Sequence, residues 1–230
     1  RRARAMPRLS IIIPTLNEAE QIAGILGRLQ CYRQRGHEVI LVDGGSEDGT
    51  LAEAAGLVDQ FVQAPRGRAS QMAAGAARAS HEVFWFLHAD SWVPDRADDL
   101  IREALLTAEW GRFDVRLSGR NRHPMLRLVE RLINLRSRLT GIATGDQGIF
   151  VTRQAYQAIG GMPDLPLMED VELSRRLRSQ GRPSCIACPL VTSSRRWEAA
   201  GIWRTIILMW TLRAAYAVGV SPARLARLYG

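Results

Sequence analysis

In the first 110 residues, short β-branched runs alternate with stretches whose apolar residues recur at helical spacing. No other feature restricts the fold as much. Leu9-Ser-Ile-Ile-Ile-Pro14 is a β-branched run closed by proline. Ile22, Ile25, Leu26 and Leu29 follow at i, i+3, i+4 and i+7, which predicts a helix with one buried stripe. Residues 37–42 predict the next strand, 49–55 a short helix, 60–62 a brief strand and 69–79 an alanine-rich helix. Residues 83–87 form a continuous apolar run, as in a strand buried on both faces, and 96–108 predict another helix. Repeated β-α-β-α implies an α/β fold with a mostly parallel central sheet flanked by helices. In such sheets ligands collect at the carboxyl ends of the strands. Three strand ends carry polar clusters, namely Thr15-Leu-Asn17-Glu18, Asp43-Gly-Gly-Ser46 and His88-Ala-Asp90.

The second half is less regular. A strand is expected over 113–117 and a helix over 125–139, with Leu126, Val129, Leu132 and Ile133 on one side and Arg127, Arg131 and Arg138 elsewhere. Another strand is expected over 148–151 and a helix over 169–179, ending at Gly181. Residues 202–220 are strongly apolar, but Arg204 and Arg213 interrupt them, and the uncharged run 205–212 is too short to span a bilayer. No repeat, low-complexity tract or linker divides the 230 residues, so a single domain is expected. Arg1 to Arg8 are basic, but Leu9 to Ile13 are too short an apolar run for a secretory segment; Met6 reads as an initiator with Arg1–Ala5 upstream.

All 31 basic residues are arginine. Guanidinium stays protonated and is a poor nucleophile, so lysine Schiff bases, pyridoxal-phosphate chemistry and a Walker lysine are excluded. The net charge of +8 is uneven: 12 Arg stand against 15 acids up to residue 110, and 19 Arg against 8 acids beyond it. One face therefore suits an anionic partner: nucleic acid, an anionic membrane surface or a phosphorylated substrate. Cys31, Cys185 and Cys188 give no disulfide framework and point to a reducing compartment; the lone Cys185-x-x-Cys188 reads as buried small hydrophobes rather than a zinc site.

Asp43 ends a strand and precedes Gly44-Gly45-Ser46-Glu47-Asp48, so its carboxylate either accepts from a base or ribose hydroxyl or anchors an Asp/Gly turn with Asp48 or Ser46 as a cap. His88 and Asp90, two apart at a strand end, point the same way and suit one divalent cation, Mg²⁺ or Mn²⁺, unless His88 is a satisfied core histidine. Glu169-Asp170 opens a helix after a Gly/Pro-rich loop; helix-dipole preference alone explains acids there, while general-base chemistry would use one of them. Arg195-Arg196-Trp197 either grips a diphosphate or is an exposed pair beside a packed indole.

Taken in order, Ser10-Ile-Ile-Ile-Pro14-Thr15-Leu-Asn17-Glu18, Val42-Asp43-Gly-Gly-Ser46-Glu-Asp-Gly49-Thr50, Leu87-His-Ala-Asp90 and Met168-Glu169-Asp170 resemble a family 2 glycosyltransferase. The chain is similar, further, to a compact bacterial subgroup sharing Phe-Leu-His-Ala-Asp and Gly145-Asp146-Gln147-Gly148-Ile-Phe. The resemblance implies a GT-A fold, with a nucleotide-sugar-binding half over about 6–110, an acceptor half over 111–198 and a C-terminal apolar helical segment over 199–230. It implies that Pro14, Thr15, Asn17, Glu18, Asp43, Gly44, Arg68, Ala89, Arg196 and Trp197 surround the donor. Asp90, with His88 in place of the usual first aspartate, would meet Mn²⁺ or Mg²⁺. Asp170, or else Glu169, would be the general base, and Gly145, Asp146 and Gln147 would lie on the acceptor side. Ser193 stands where the family's Q-x-x-R-W element has glutamine, which argues against processive polymerisation.

The implied activity is metal-dependent, inverting transfer from a UDP-sugar to an acceptor hydroxyl; the resemblance supplies no acceptor, and the arginine-rich half with the apolar stretches 125–139 and 202–220 suggests an anionic or lipid-linked one. The enzyme would be cytoplasmic, with the stretches 125–139 and 202–220 either lying on the inner face of the membrane or packing as core or as the surface of a homodimer. A nucleotidyltransferase acting on a sugar phosphate is the rival enzyme, but the loop after the first strand has no glycine and carries Glu18. The non-enzymatic rival is an arginine-rich membrane-surface or nucleic-acid binder; no nucleic-acid motif is present and aromatics are only 7%.

Overall fold

A computed structural model describes residues 6–118, 124–193 and 202–229. Arg1–Ala5 and the Arg195-Arg196-Trp197 tripeptide lie outside the described residues. The first half alternates as expected: β1 (Leu9–Thr15), α1 (Ala19–Gln34), β2 (Glu38–Asp43), α2 (Thr50–Ala54), β3 (Gln60–Gln63), α3 (Arg68–Arg78), β4 (Val83–Phe86) and α4 (Ala97–Ala104). There follow β5 (Trp110–Ser118), α5 (Pro124–Thr140), β6 (Phe150–Thr152), α6 (Arg153–Ala158), α7 (Glu169–Leu177) and β7 (Ser184–Ser193), then helices Ile202–Ala217 and Pro222–Tyr229.

One open sheet runs β3-β2-β1-β4-β6-β5-β7. β1, β2, β3 and β4 pair in parallel, and so do β5 and β7; only β6 runs antiparallel to its neighbours. Every residue of β1, β2 and β4 is buried, because helices cover both faces. Alternation along the strands divides the core: Leu9, Ile11, Ile13 and Trp85 pack on the α1 stripe, whereas Ile12, Phe84 and Phe86 face α3 and α7. All four predicted stripe residues of α1 are buried, joined by Tyr32. Gly75 lets α3 lie tight on the sheet, since a Cβ there would meet Ile12 at 2.5 Å and Val42 at 2.9 Å.

Several expectations need correction. The helix expected over 96–108 ends at Ala104, and β5 starts three residues before the expected 113. Elements α6, β7 and Pro222–Tyr229 had no clear periodic signal. Cys185 and Cys188 lie in β7 half-buried with free thiols, not buried, because β7 is an edge strand. The stripe of α5 is also only partly core: Leu126 and Val129 pack on Leu117, while Leu132 is exposed. Among the described residues, no helix is long and apolar enough to cross a membrane.

Candidate active site

The parallel register ends β1 and β2 together, Thr15 opposite Asp43, while β4 ends at Phe86 opposite Ile12, three residues earlier, and the segment His88-Ala-Asp90 continues past it to the same cleft. A polar cleft of about 430 Å³ opens there, walled by Pro14, Thr15, Glu18, Arg68, Ala89 and Asp90 among others. Thr15 Oγ1 is buried there with no hydrogen-bond partner among the described residues. The far wall is Thr192 and Ser193, from the end of β7. They reach the cleft because Trp92, just after Asp90, bridges Val191 by N–H···O bonds of 2.7 and 3.0 Å.

The loops behind the cleft are clipped together. Asn17, with φ of 54°, accepts from Glu47 N–H at 2.9 Å, and its own N–H donates to Ser46 Oγ at 2.9 Å. Asn tolerates this left-handed conformation, which most side chains avoid. Asp43 is buried, and its carboxylate accepts from Gly45 N–H at 2.9 Å and from Ser46 N–H and Oγ. Asp48 accepts from Thr50 N–H at the start of α2. Asp43 and Asn17 thus build the turn beside the cleft instead of walling it; of the two readings open for Asp43, the turn anchor is the one the geometry displays. Gly44 completes this turn, its N–H bonded to Thr15 O at 3.0 Å.

Gln71 was missed by the sequence reading. Its buried amide donates to Thr15 O and to Val42 O, both at 2.8 Å, strapping β1 to β2 under the cleft. Only its polarity within an alanine-rich helix hinted at a role.

On the opposite side a small space of about 100 Å³ joins Arg68, His88, Asp146, Glu169 and Asp170. Asp170 Oδ2 accepts from Gly145 N–H at 2.8 Å and Oδ1 from Val171 N–H at 2.7 Å, which fixes the carboxylate's orientation. Burial raises the Glu169 carboxyl above its usual range, and the negative charge of Asp170 adds to this, while Arg68 and His88 oppose it. Met168, just before α7, holds φ of 66°. That conformation is strained for a long side chain, typically by 1–3 kcal/mol, and Met168 is held in it by packing on Leu212 and Leu225.

His88 Nδ1 lies 3.1 Å from Asp146 Oδ1, and the ring packs on Gly145 so closely that a Cβ there would sit 2.5 Å from Nε2. The imidazole is therefore engaged by protein on both sides, closer to the satisfied histidine than to an open ligand. Asp146 walls both spaces. Gln147, expected on the acceptor side, is fully buried instead, with its amide spent on Thr144 N–H and on Asn134.

Among the described residues no three His, Cys, Asp or Glu side chains form a metal cage. Mg²⁺ and similar ions need no such cage when one or two carboxylates and substrate phosphates share the coordination. Asp90 fits that arrangement: it is half-buried, walls the cleft, and its carboxylate has no hydrogen-bond partner among the described residues.

An open α/β sheet with a polar cleft at its strand ends, closed by acids from a later helix, defines the GT-A class of fold. Solved structures agree. The Pyrobaculum calidifontis mannosyltransferase PcManGT, solved with GDP-Man and Mn²⁺, superposes with a TM-score of 0.64 at 24% identity, over 96% of this chain and 68% of that one. Staphylococcus aureus TarS 1-349 gives 0.64 at 17% identity, over 81% and 60%. Glucosyl-3-phosphoglycerate synthase of Mycobacterium tuberculosis, solved with Mn²⁺ and UDP, gives 0.62 at 18%, over 89% and 78%. The model for glycosyl transferase family 2 matches residues 10–155, and the chain belongs to that family. A curated relative, the uncharacterized glycosyltransferase MT1564 of M. tuberculosis, is 32% identical over 87 residues, which is 36% of this chain and 33% of that protein. The match thus spans about a third of the relative's length.

Proposed function

We propose that the protein transfers a sugar with inversion from a nucleotide-sugar, UDP-sugars favoured, to an acceptor hydroxyl. What carries the reading is that the polar strand-end cleft and the Glu169–Asp170 pair meet at Asp146. The donor would occupy the half over 6–110 and the acceptor the half over 111–198, within one domain.

Pro14, Thr15 and Glu18 receive the nucleoside, and Asn17, Asp43 and Gly44 hold the turn that shapes its seat. Arg68 faces the diphosphate. The sequence resemblance adds Arg196 and Trp197, which lie outside the described residues. Asp90 would hold Mn²⁺ or Mg²⁺ together with the donor phosphates. Such a cation, when bound, neutralises charge developing on the leaving diphosphate. His88 orients Asp146 rather than meeting the cation. Asp170 takes the acceptor's hydroxyl proton as that oxygen attacks the anomeric carbon from the face opposite the diphosphate. Burial, with the charge of Asp170 added, raises the Glu169 carboxyl. Free cysteines and a nucleotide-sugar donor fit a cytoplasmic enzyme.

A thermal-shift panel tests this. UDP-, GDP- and dTDP-sugars, each with and without Mn²⁺, are compared with sugar 1-phosphates plus UTP. A hundredfold excess of the true donor over its Kd should raise Tm by about 5–10 °C, and only with the cation. A shift confined to sugar 1-phosphate plus UTP would replace this reading with nucleotidyl transfer.

A further inference from the structure

A second groove meets the donor cleft at Asp146. It lies between α5 and helix Ile202–Ala217, encloses about 700 Å³, and is walled by Leu128, Leu132, Leu139, Met209 and Trp210. Its rim is open to solvent, with Leu132 43% and Trp210 64% exposed. Monomeric soluble domains rarely leave so continuous an apolar surface uncovered without a ligand for it. A 17-residue helix such as α5 is about 25 Å long, enough to run beside an extended acyl chain.

The inner end of this groove is not apolar. Arg136 and Arg213 stand there beside Thr144 and Asp146. Arg136 Nε and Nη2 and Arg213 Nε are buried, with no hydrogen-bond partner among the described residues. Burial, then repulsion from Arg213, pushes the Arg136 guanidinium down to about 10, and burial also lowers Arg213; Asp170 draws both back up. Buried guanidinium donors are normally paired, and the geometry that satisfies them best is an anion's oxygens. An anion site at one end of an apolar trough, beside the acids Glu169 and Asp170, selects a ligand with both characters.

We propose that the acceptor is a lipid phosphate. Its apolar chain lies between α5 and Ile202–Ala217, its phosphate sits on Arg136 and Arg213, and a hydroxyl beside that phosphate reaches Asp170. This rests on the transfer reading, since only transfer needs an acceptor. The hydroxyl's O–H bond breaks and its proton goes to Asp170. Its oxygen bonds the anomeric carbon while the bond from that carbon to the donor diphosphate breaks, and the electron pair leaves with the nucleoside diphosphate. The lipid's own phosphate stays intact and serves only to bind. Arg127 and Arg131, exposed on α5, are available to neighbouring anionic headgroups.

Calorimetry with dodecyl phosphate below its micellar concentration tests the proposal. Inorganic phosphate and a neutral dodecyl glycoside serve as the two half-ligands, and UDP with Mn²⁺ reports the donor site. Dodecyl phosphate should bind at least tenfold more tightly than either half. Arg136→Gln with Arg213→Gln should weaken it at least tenfold, and so should Trp210→Glu, with UDP binding kept. Trp210 is exposed, so that variant keeps the test alive if the arginine pair proves necessary for folding. Inorganic phosphate binding as tightly as dodecyl phosphate would overturn the lipid chain, and equal binding of the glycoside would overturn the anion site. No dodecyl phosphate binding alongside intact UDP binding would sink this inference alone; no binding of UDP, GDP or dTDP by the unmodified protein would remove the transfer reading as well.

Discussion

At Gly145 three requirements of the site coincide. Its N–H holds Asp170, its Cα carries the His88 ring, and His88 in turn meets Asp146. Gly145→Ala should force the ring aside, cost about 1–3 kcal/mol from overpacking and slow turnover. Removing the ring in the same chain with His88→Ala should recover part of that loss. A double-mutant cycle therefore should give a coupling above about 0.5 kcal/mol, and strict additivity would contradict the packing account. His37 makes a prediction about pH. Its Nδ1 accepts from Leu9 N–H at 2.9 Å, its Nε2 lies 3.0 Å from Asp98, and burial lowers its pKa below 6.5. The unfolded chain then binds the extra proton first, so the stability from neutral His37 is complete above pH 6.5 and drains away as pH falls below it. Urea midpoints measured from pH 7.5 down to 5.5 should fall in the unmodified protein and fall less in His37→Gln; parallel curves would refute the assignment. The positions of Asp90, Glu169 and Asp170 were legible because Asp90 follows a strand and the other two open a helix, where sequence marks position; their roles remain proposals. Gln71, Arg136 and Arg213 were not legible, because the partners of Gln71 are 29 and 56 residues away in sequence, and the buried atoms of the two arginines have no partner among the described residues.

Among the elements, α3 does more than cover the sheet. Gln71 ties the ends of β1 and β2, so Gln71→Ala would remove a donor from Val42 O and from Thr15 O, which keeps its bond from Gly44 N–H, at about 1–3 kcal/mol in all. For a domain of this size Tm should drop by about 2–4 °C per kcal/mol, and donor affinity should drop with it because Thr15 moves. A variant with unchanged Tm and donor affinity would show that the strap is not needed. The helix Ile202–Ala217 acts on α7 in a similar way, through Tyr216 Oη donating to Glu172 at 3.1 Å. The periods of α1, β1 and β4 were plain in the sequence because both helix and strand bury what their spacing announces. β6 was expected over 148–151 and spans Phe150–Thr152, whereas β7 contains Pro189 and shows too little pattern to stand out. For α5 the helical period was correct and the burial of its stripe was not, since spacing tells which residues share a face and not what covers that face.

At the scale of the whole molecule, the uneven charge has a structural meaning. The acid-rich first half supplies Glu18 and Asp90 to the cleft, and the arginine-rich second half supplies Arg136 and Arg213 to the groove. The proposed metal dependence is tested at this level: Asp90→Ala should abolish the Mn²⁺-dependent part of donor affinity in calorimetry, and cation-independent donor binding of full strength would contradict it. The central claim, that donor cleft and acids form one transferase site, is tested most directly by turnover of Asp170→Asn. At saturating donor and Mn²⁺, nucleoside diphosphate release should fall by about 10²–10⁴-fold while donor affinity stays within a few-fold of the unmodified protein. Release at the unmodified rate would contradict the account.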